Sequence, residues 1–145
     1  MLKIDNLIQM KVGVWLDKRK AIVVTIYDGE ISLNTILSNV EDFHVHGGSG
    51  TRLKGGPQDV VQDSKYLERE KHQLKNYFND VISEINDANS IVLFGPAETA
   101  EKLHKEITKY HKNLEIKIKD VVKANSMTKR QVKAWVKAFF KEKRL

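Results

Sequence analysis

Cysteine is absent from the 145-residue chain. That excludes a disulfide framework and any thiolate metal site, and it suits the reducing cytoplasm, the compartment expected here. Proline is almost as scarce, at Pro57 and Pro96 alone, and no low-complexity run or domain linker is visible. Long apolar runs are missing as well. No stretch approaches the ~20 residues of a membrane helix, and the opening MLKIDNLIQM carries Asp5, Asn6 and Gln9, so it forms no signal-peptide apolar region. No membrane partner is therefore expected.

What remains is ordinary for a soluble globular chain, with 41% apolar and 30% charged residues. The length suits one domain, residues 1–145, able to bury a core without staples. The formal net charge is +6 and is unevenly placed. Residues 129–144 hold seven lysines and arginines against Glu142 alone, which accounts for the whole excess. The other residues carry 18 basic and 18 acidic side chains. Charge arguments therefore belong to that terminal segment.

The hydrophobic pattern sets the order of elements. KVGVWLD (11–17) and KAIVVTIYD (20–28) are β-rich runs parted by a polar turn, and Asp28-Gly29 joins the second to EISLNTILS (30–38) as a hairpin signal. From Asp63 apolar residues recur every three or four positions, at Leu67, Leu74, Tyr77, Phe78, Val81, Ile82 and Ile85. They predict a long amphipathic helix with Asp63 or Ser64 as its N-cap. SIVLF (90–94) predicts a strand covered on both faces. Pro96 opens a second helix with Ala100, Leu103, Ile107 and Tyr110 inward. LEIKIK (114–119) alternates as an edge strand, and Thr128 with Gln131 forms a capping box before a last helix striped with Val132, Trp135, Val136, Phe139 and Phe140. Three antiparallel strands followed by two βα units imply an α/β fold with a mixed five-stranded sheet and helices on its faces, ribonuclease-H-like or a near relative.

Glycine is sparse except in one place. Five of the eight glycines lie within residues 47–56, in the stretch FHVHGGSGTRLKGGPQD (43–59). Glycines let a backbone approach another molecule closely, and Arg52 and Lys54 supply charge that pairs with phosphate. Such a loop, which also holds His44 and His46, suits a folded RNA or a phosphate better than an apolar ligand. The structural alternative is a long crossover connection.

HVHGGSG, the basic residues after it and the helix entered through Lys65-Tyr66-Leu67-Glu68-Arg69-Glu70-Lys71 resemble the middle domain of archaeal and eukaryotic class I peptide-chain release factors. Bacterial stand-alone release-factor-like proteins share the pattern. IVLFGPAE is similar to that family's apolar strand ending in a glycine turn, and the resemblance runs over residues 12–140. It implies a release-factor-middle-domain-like fold and a Gly-Gly-Gln loop that enters the ribosomal peptidyl-transferase centre. There the backbone N–H of the third residue helps stabilise the transition state of peptidyl-tRNA hydrolysis. By this resemblance Gly47 and Gly48 match the glycines, and Ser49 stands where the family has glutamine. A backbone N–H survives that replacement; the long amide side chain does not. Gly55-Gly56-Pro57-Gln58 is a second near-match whose proline removes a donor.

The resemblance implies a ribosome or tRNA partner. His44, His46, Arg52, Lys54, Lys65, Arg69 and His72 are the expected RNA contacts, and Gly47, Gly48 and Ser49 the expected catalytic loop. It covers only a middle domain, so rescue, ribosome protection or RNA binding is expected rather than stop-codon selection.

Other chemistries find less support. No G-x-x-x-x-G-K-[ST] or dinucleotide fingerprint exists, and no cofactor is expected. His44, His46 and Asp42 offer two or three metal ligands with no partner motif, so no metal is assigned. Asp17 ends the first strand, where ribonuclease-H-like nucleases place a metal-binding carboxylate, but SIVLF carries no acid and Glu68, Glu70 and Glu84 fall on the helix. A turn role for Asp17 is favoured. Lys65, Arg69, His72, Asn76 and Asn79 form a polar stripe that is either a solvated face or an RNA-backbone contact. His104 and His111 suit structural positions. The rival functional class is a non-catalytic interaction module whose loop orders on a protein partner. Convergence of the loop, the Lys65 helix and the C-terminal lysines on one face favours nucleic acid; scatter favours the rival.

Overall fold

The computed structural model describes residues 9–40 and 57–143. Three strands come first, β1 (Lys11–Leu16), β2 (Lys20–Tyr27) and β3 (Glu30–Leu37). Then follow α1 (Pro57–Ile85), β4 (Ser90–Gly95), α2 (Thr99–Tyr110), the single turn α3 (Lys112–Glu115), β5 (Ile118–Lys123) and α4 (Lys129–Lys143). The strands form a five-stranded sheet of order β3-β2-β1-β4-β5. β1, β2 and β3 are mutually antiparallel, and β4 runs parallel to β1 and β5. This is the mixed α/β sheet that the sequence predicts.

Strand alternation divides the core into two. Val12, Val14 and Leu16 of β1, with Val23 of β2 and Ile91 and Leu93 of β4, face one side and pack against Tyr77, Val81 and Ile85 of α1 and Leu103 and Ile107 of α2. Their strand neighbours Trp15, Ile22, Val24, Val92 and Phe94 face the other side and pack against Val132, Val136, Phe139 and Phe140 of α4. The sheet is therefore the middle of three layers. The Phe94 and Trp135 rings stack at 3.8 Å between centroids, and the Trp15 indole N–H donates to the Asn125 carbonyl at 3.1 Å. Gly13 belongs to the α4 side, where a Cβ would lie 2.4 Å from Val136 Cγ2, so its missing side chain lets the helix close on β1.

The turns follow local chemistry. Asp28 (φ 52°) and Gly29 (φ 82°) both adopt positive φ and close the β2–β3 hairpin with Tyr27 opposite Glu30, the type I′ geometry that Asp-Gly favours. The capping box before α4 is reciprocal. Gln131 N–H donates to Thr128 Oγ1 at 3.2 Å, and Thr128 N–H donates to Gln131 Oε1 at 2.9 Å.

Four expectations are corrected. The backbone of α1 starts at Pro57, six residues before Asp63, because proline is acceptable in a helix's first turn, where its absent N–H has no internal partner. Pro96 lies in the turn after β4, and α2 starts at Thr99. The last strand is Ile118–Lys123, not 114–119: Leu114 is buried in the core as part of α3, and Ile116 is 78% exposed. Leu67 and Tyr110, expected inward, are exposed; Tyr110 instead carries Lys75 Nζ 4.8 Å from its ring centroid, an attraction between cation and ring face.

Candidate nucleic-acid interface

The inner side of α1 is settled by Tyr77, Phe78, Val81, Ile82 and Ile85, all buried. The opposite side carries Lys65, Arg69 and His72, spaced four and three residues apart and all exposed. That spacing sets them in one row along the helix. With Glu68 they border a shallow surface hollow, and exposed Asn76 and Asn79 extend the row. The Arg69 guanidinium is 5.3 Å from the Tyr66 ring centroid, so a cation and an aromatic face are adjacent at this surface. Such a row can pair with phosphates along a nucleic-acid backbone.

The helix is held at a fixed angle to the sheet. Asn34 Nδ2 of β3 donates to Glu84 Oε2 at 3.0 Å. Lys18, in the β1–β2 turn, pairs with Glu70. The buried Tyr77 hydroxyl donates to the Asp17 carbonyl at 3.0 Å. Burial, and secondarily the Asp17 charge, push the Tyr77 phenol pKa well up, so the ring remains a neutral donor.

Asp17 is a turn residue. Its Oδ1 accepts the N–H groups of Arg19 at 2.8 Å and Lys20 at 2.9 Å. Among the described residues no group of three or more His, Asp or Glu side chains gathers to hold a metal ion. His104 and His111 are half-buried on and just after α2. At the end of β3, Ser38 N–H donates to the Arg19 carbonyl at 2.9 Å, and its hydroxyl accepts from Val40 N–H at 3.1 Å. The chain thus leaves the sheet beside the turn that holds α1.

Of the sequence-predicted site, Lys65, Arg69 and His72 are brought together. His44, His46, Gly47, Gly48, Ser49, Arg52 and Lys54 lie outside the described residues. The C-terminal cations do not converge with α1. Lys129, Arg130, Lys133, Lys137 and Lys141 are exposed on α4, which covers the other face of the sheet. Two separate basic surfaces result because α1 and α4 are in different layers, which the sequence pattern does not disclose. Sequence reading also missed the junction of the Lys18-Arg19 turn with the Gly95-Pro96-Ala97 turn; its signal was a turn at the end of each strand, polar after β1 and Gly-Pro after β4.

No family model and no curated protein sequence matches this chain. Its fold does resemble solved structures. The Thermoplasma acidophilum Pelota protein superposes with a TM-score of 0.52 at 16% identity, over 94% of this chain and 37% of that one. Archaeoglobus fulgidus Pelota gives 0.53 at 9% identity, over 97% of this chain and 37% of its own. The chain therefore spans just over a third of the length of these Pelota proteins. At such identities the likeness is one of fold: the mixed five-stranded sheet with its helices is an arrangement also found within Pelota. No helix among the described residues is long and apolar enough to cross a membrane.

Proposed function

We propose that this chain is a release-factor-like, middle-domain-type protein of the translation machinery that binds ribosomal RNA or tRNA in the cytoplasm. The observation that carries the reading is a coincidence. The fold shared with Pelota accompanies an exposed row of Lys65, Arg69 and His72 on the helix entered directly from the glycine-rich stretch. In this reading residues 43–59 form the probe, His44, His46, Arg52 and Lys54 contact RNA with that row, and α1 is the rigid arm behind it. Its anchors, Glu70 to Lys18, Glu84 to Asn34 and Tyr77 to the Asp17 carbonyl, set the direction of the arm.

The sharpest form of the proposal is peptidyl-tRNA hydrolysis in ribosome rescue. Water adds to the ester carbonyl, the Ser49 backbone N–H donates to the oxygen as it gains negative charge, and the bond to the ribose oxygen breaks as that oxygen takes a proton. Gly47 and Gly48 permit the close backbone approach that such donation needs.

Cosedimentation with 70S ribosomes across a salt series tests the binding. The wild type is expected to pellet at low salt and release as salt rises, with Gly47→Ala/Gly48→Ala weaker. Absence of pelleting at low salt overturns the translation reading. A second reading has one observation in its favour: the C-terminal cations occupy the opposite face from α1. An interaction module whose loop orders on a protein partner follows if ribosome binding fails.

A further inference from the structure

The two edges of the sheet are built differently. Along β5 the charged Lys119, Asp120 and Lys123 are exposed, and its register against β4 shifts between Ile91 and Val92. Charges and irregular pairing are how proteins keep a strand edge from accepting another strand. β3 has neither. Its eight residues include no lysine, arginine, proline or glycine, and its single charge is Glu30 at the hairpin end. It pairs with β2 without a break, from Glu30 opposite Tyr27 to Leu37 opposite Lys20.

The hairpin fixes which backbone groups of β3 are turned outward. A two-residue turn makes Tyr27 and Glu30 a hydrogen-bonded pair, so Ser32, Asn34 and Ile36 also bond toward β2. The bond from Ser38 N–H to the Arg19 carbonyl keeps the same alternation. The amides and carbonyls of Ile31, Leu33 and Thr35 therefore point to the open edge, where no described strand pairs with them. The side chains of Ile31 and Leu33 lie on the α4 side of the sheet. On that side a groove of about 510 Å³ separates the hairpin end of β3 from α4. Ile31, Ala138 and Phe140 give it an apolar lining, and Lys11, Lys137 and Lys141 give it three cations. Among the described residues no carboxylate lines it.

We propose that β3 is a docking edge for an acidic, extended segment of a partner protein that adds to the sheet as a strand. Its backbone pairs with Ile31, Leu33 and Thr35, and its alternate apolar side chains pack beside Ile31 and Leu33. Its carboxylates meet Lys137 and Lys141, both exposed on α4. Charge decides the occupant. A second copy paired edge to edge about a twofold axis would set its own α4 on the same face of the joined sheet, and the two sets of lysines would repel. RNA would match the lysines but neither the apolar lining nor the strand edge. This edge is separate from the Lys65 row on α1, and the proposal does not depend on ribosome binding.

Amide NMR of the full chain tests it with a synthetic peptide that alternates valine and threonine and carries glutamates at both ends. Saturable binding should slow amide exchange at Ile31, Leu33 and Thr35, while Ser32 and Asn34, already bonded to β2, stay unchanged. A contact made by charge alone would not produce that alternation. Lys137→Glu/Lys141→Glu should weaken the glutamate peptide roughly tenfold and favour a lysine-ended peptide of the same core. Absence of saturable binding, protection without alternation, or equal binding of both peptides by the wild type overturns the proposal. The same alternation arising without peptide as protein concentration rises assigns the edge to a second copy and also overturns it. So does displacement of the peptide by a short RNA, which assigns the groove to nucleic acid.

Discussion

Gly13 shows how one missing side chain sets the distance between two layers. Its Cα faces Val136, and a methyl group there would come within 2.4 and 2.8 Å of both Val136 Cγ atoms. Val136 is β-branched and fully buried, so it has little freedom to move aside. Gly13→Ala is expected to lower stability by about 1–3 kcal/mol through overpacking. Urea denaturation checks this, and Val136→Ala in the same chain should recover part of the loss. Tyr77 makes a different contribution. Tyr77→Phe should cost about 1 kcal/mol by removing the donor to the Asp17 carbonyl. The pH sign follows from the raised pKa: an acid held neutral by folding adds stability that is present below about pH 10 and lost above it. Thermal melts between pH 8 and 11 should fall more steeply for the wild type than for Tyr77→Phe.

Among the elements, α4 was the most legible and the last strand the least. Thr128 and Gln131 announce their helix through side chains that need only each other, and both bonds form. Thr128→Ala is expected to cost about 0.5–2 kcal/mol, read as a lower melting temperature by circular dichroism. LEIKIK misled because alternation records only which side chains differ, not which neighbour claims them. Leu114 is claimed by the core beneath α2, so the chain makes one more helical turn before pairing begins at Ile118. The start of α1 was misplaced for a related reason. The apolar period marks the helix only from Asp63, yet Pro57 is compatible with a first helical turn. Leu67 obeys the helical period, but no described layer covers it, and it is exposed.

At the scale of the whole molecule, the three layers separate two basic surfaces, one on α1 and one on α4. The row on α1 faces away from one side of the sheet and the cations of α4 away from the other. This separation makes the functional reading divisible. Lys65→Gln/Arg69→Gln should reduce the salt slope of ribosome or RNA binding by about two, one for each phosphate contact removed. Lys133→Gln/Lys137→Gln should leave that slope unchanged in filter binding at several salt concentrations. Equal losses from both pairs would place the nucleic acid across the sheet edges and contradict a site confined to the α1 side.

By itself the sequence determined the α/β class, the antiparallel hairpins, the long amphipathic helix and the capped final helix. Those features depend on neighbours within a few positions: the two-residue period of strands, the three-to-four period of helices, Asp28-Gly29 and Thr128 with Gln131. Tertiary structure alone decided that β4 inserts beside β1, that Gly13 seats α4, and that the charges of α4 and α1 are parted. It also brought Lys18 and Arg19 opposite Thr99 and Lys102, about 80 positions away in the chain. The physical reason is that each of these depends on which faces meet across the sheet. Local patterns show that a face is apolar; only the packed layers show what it packs against.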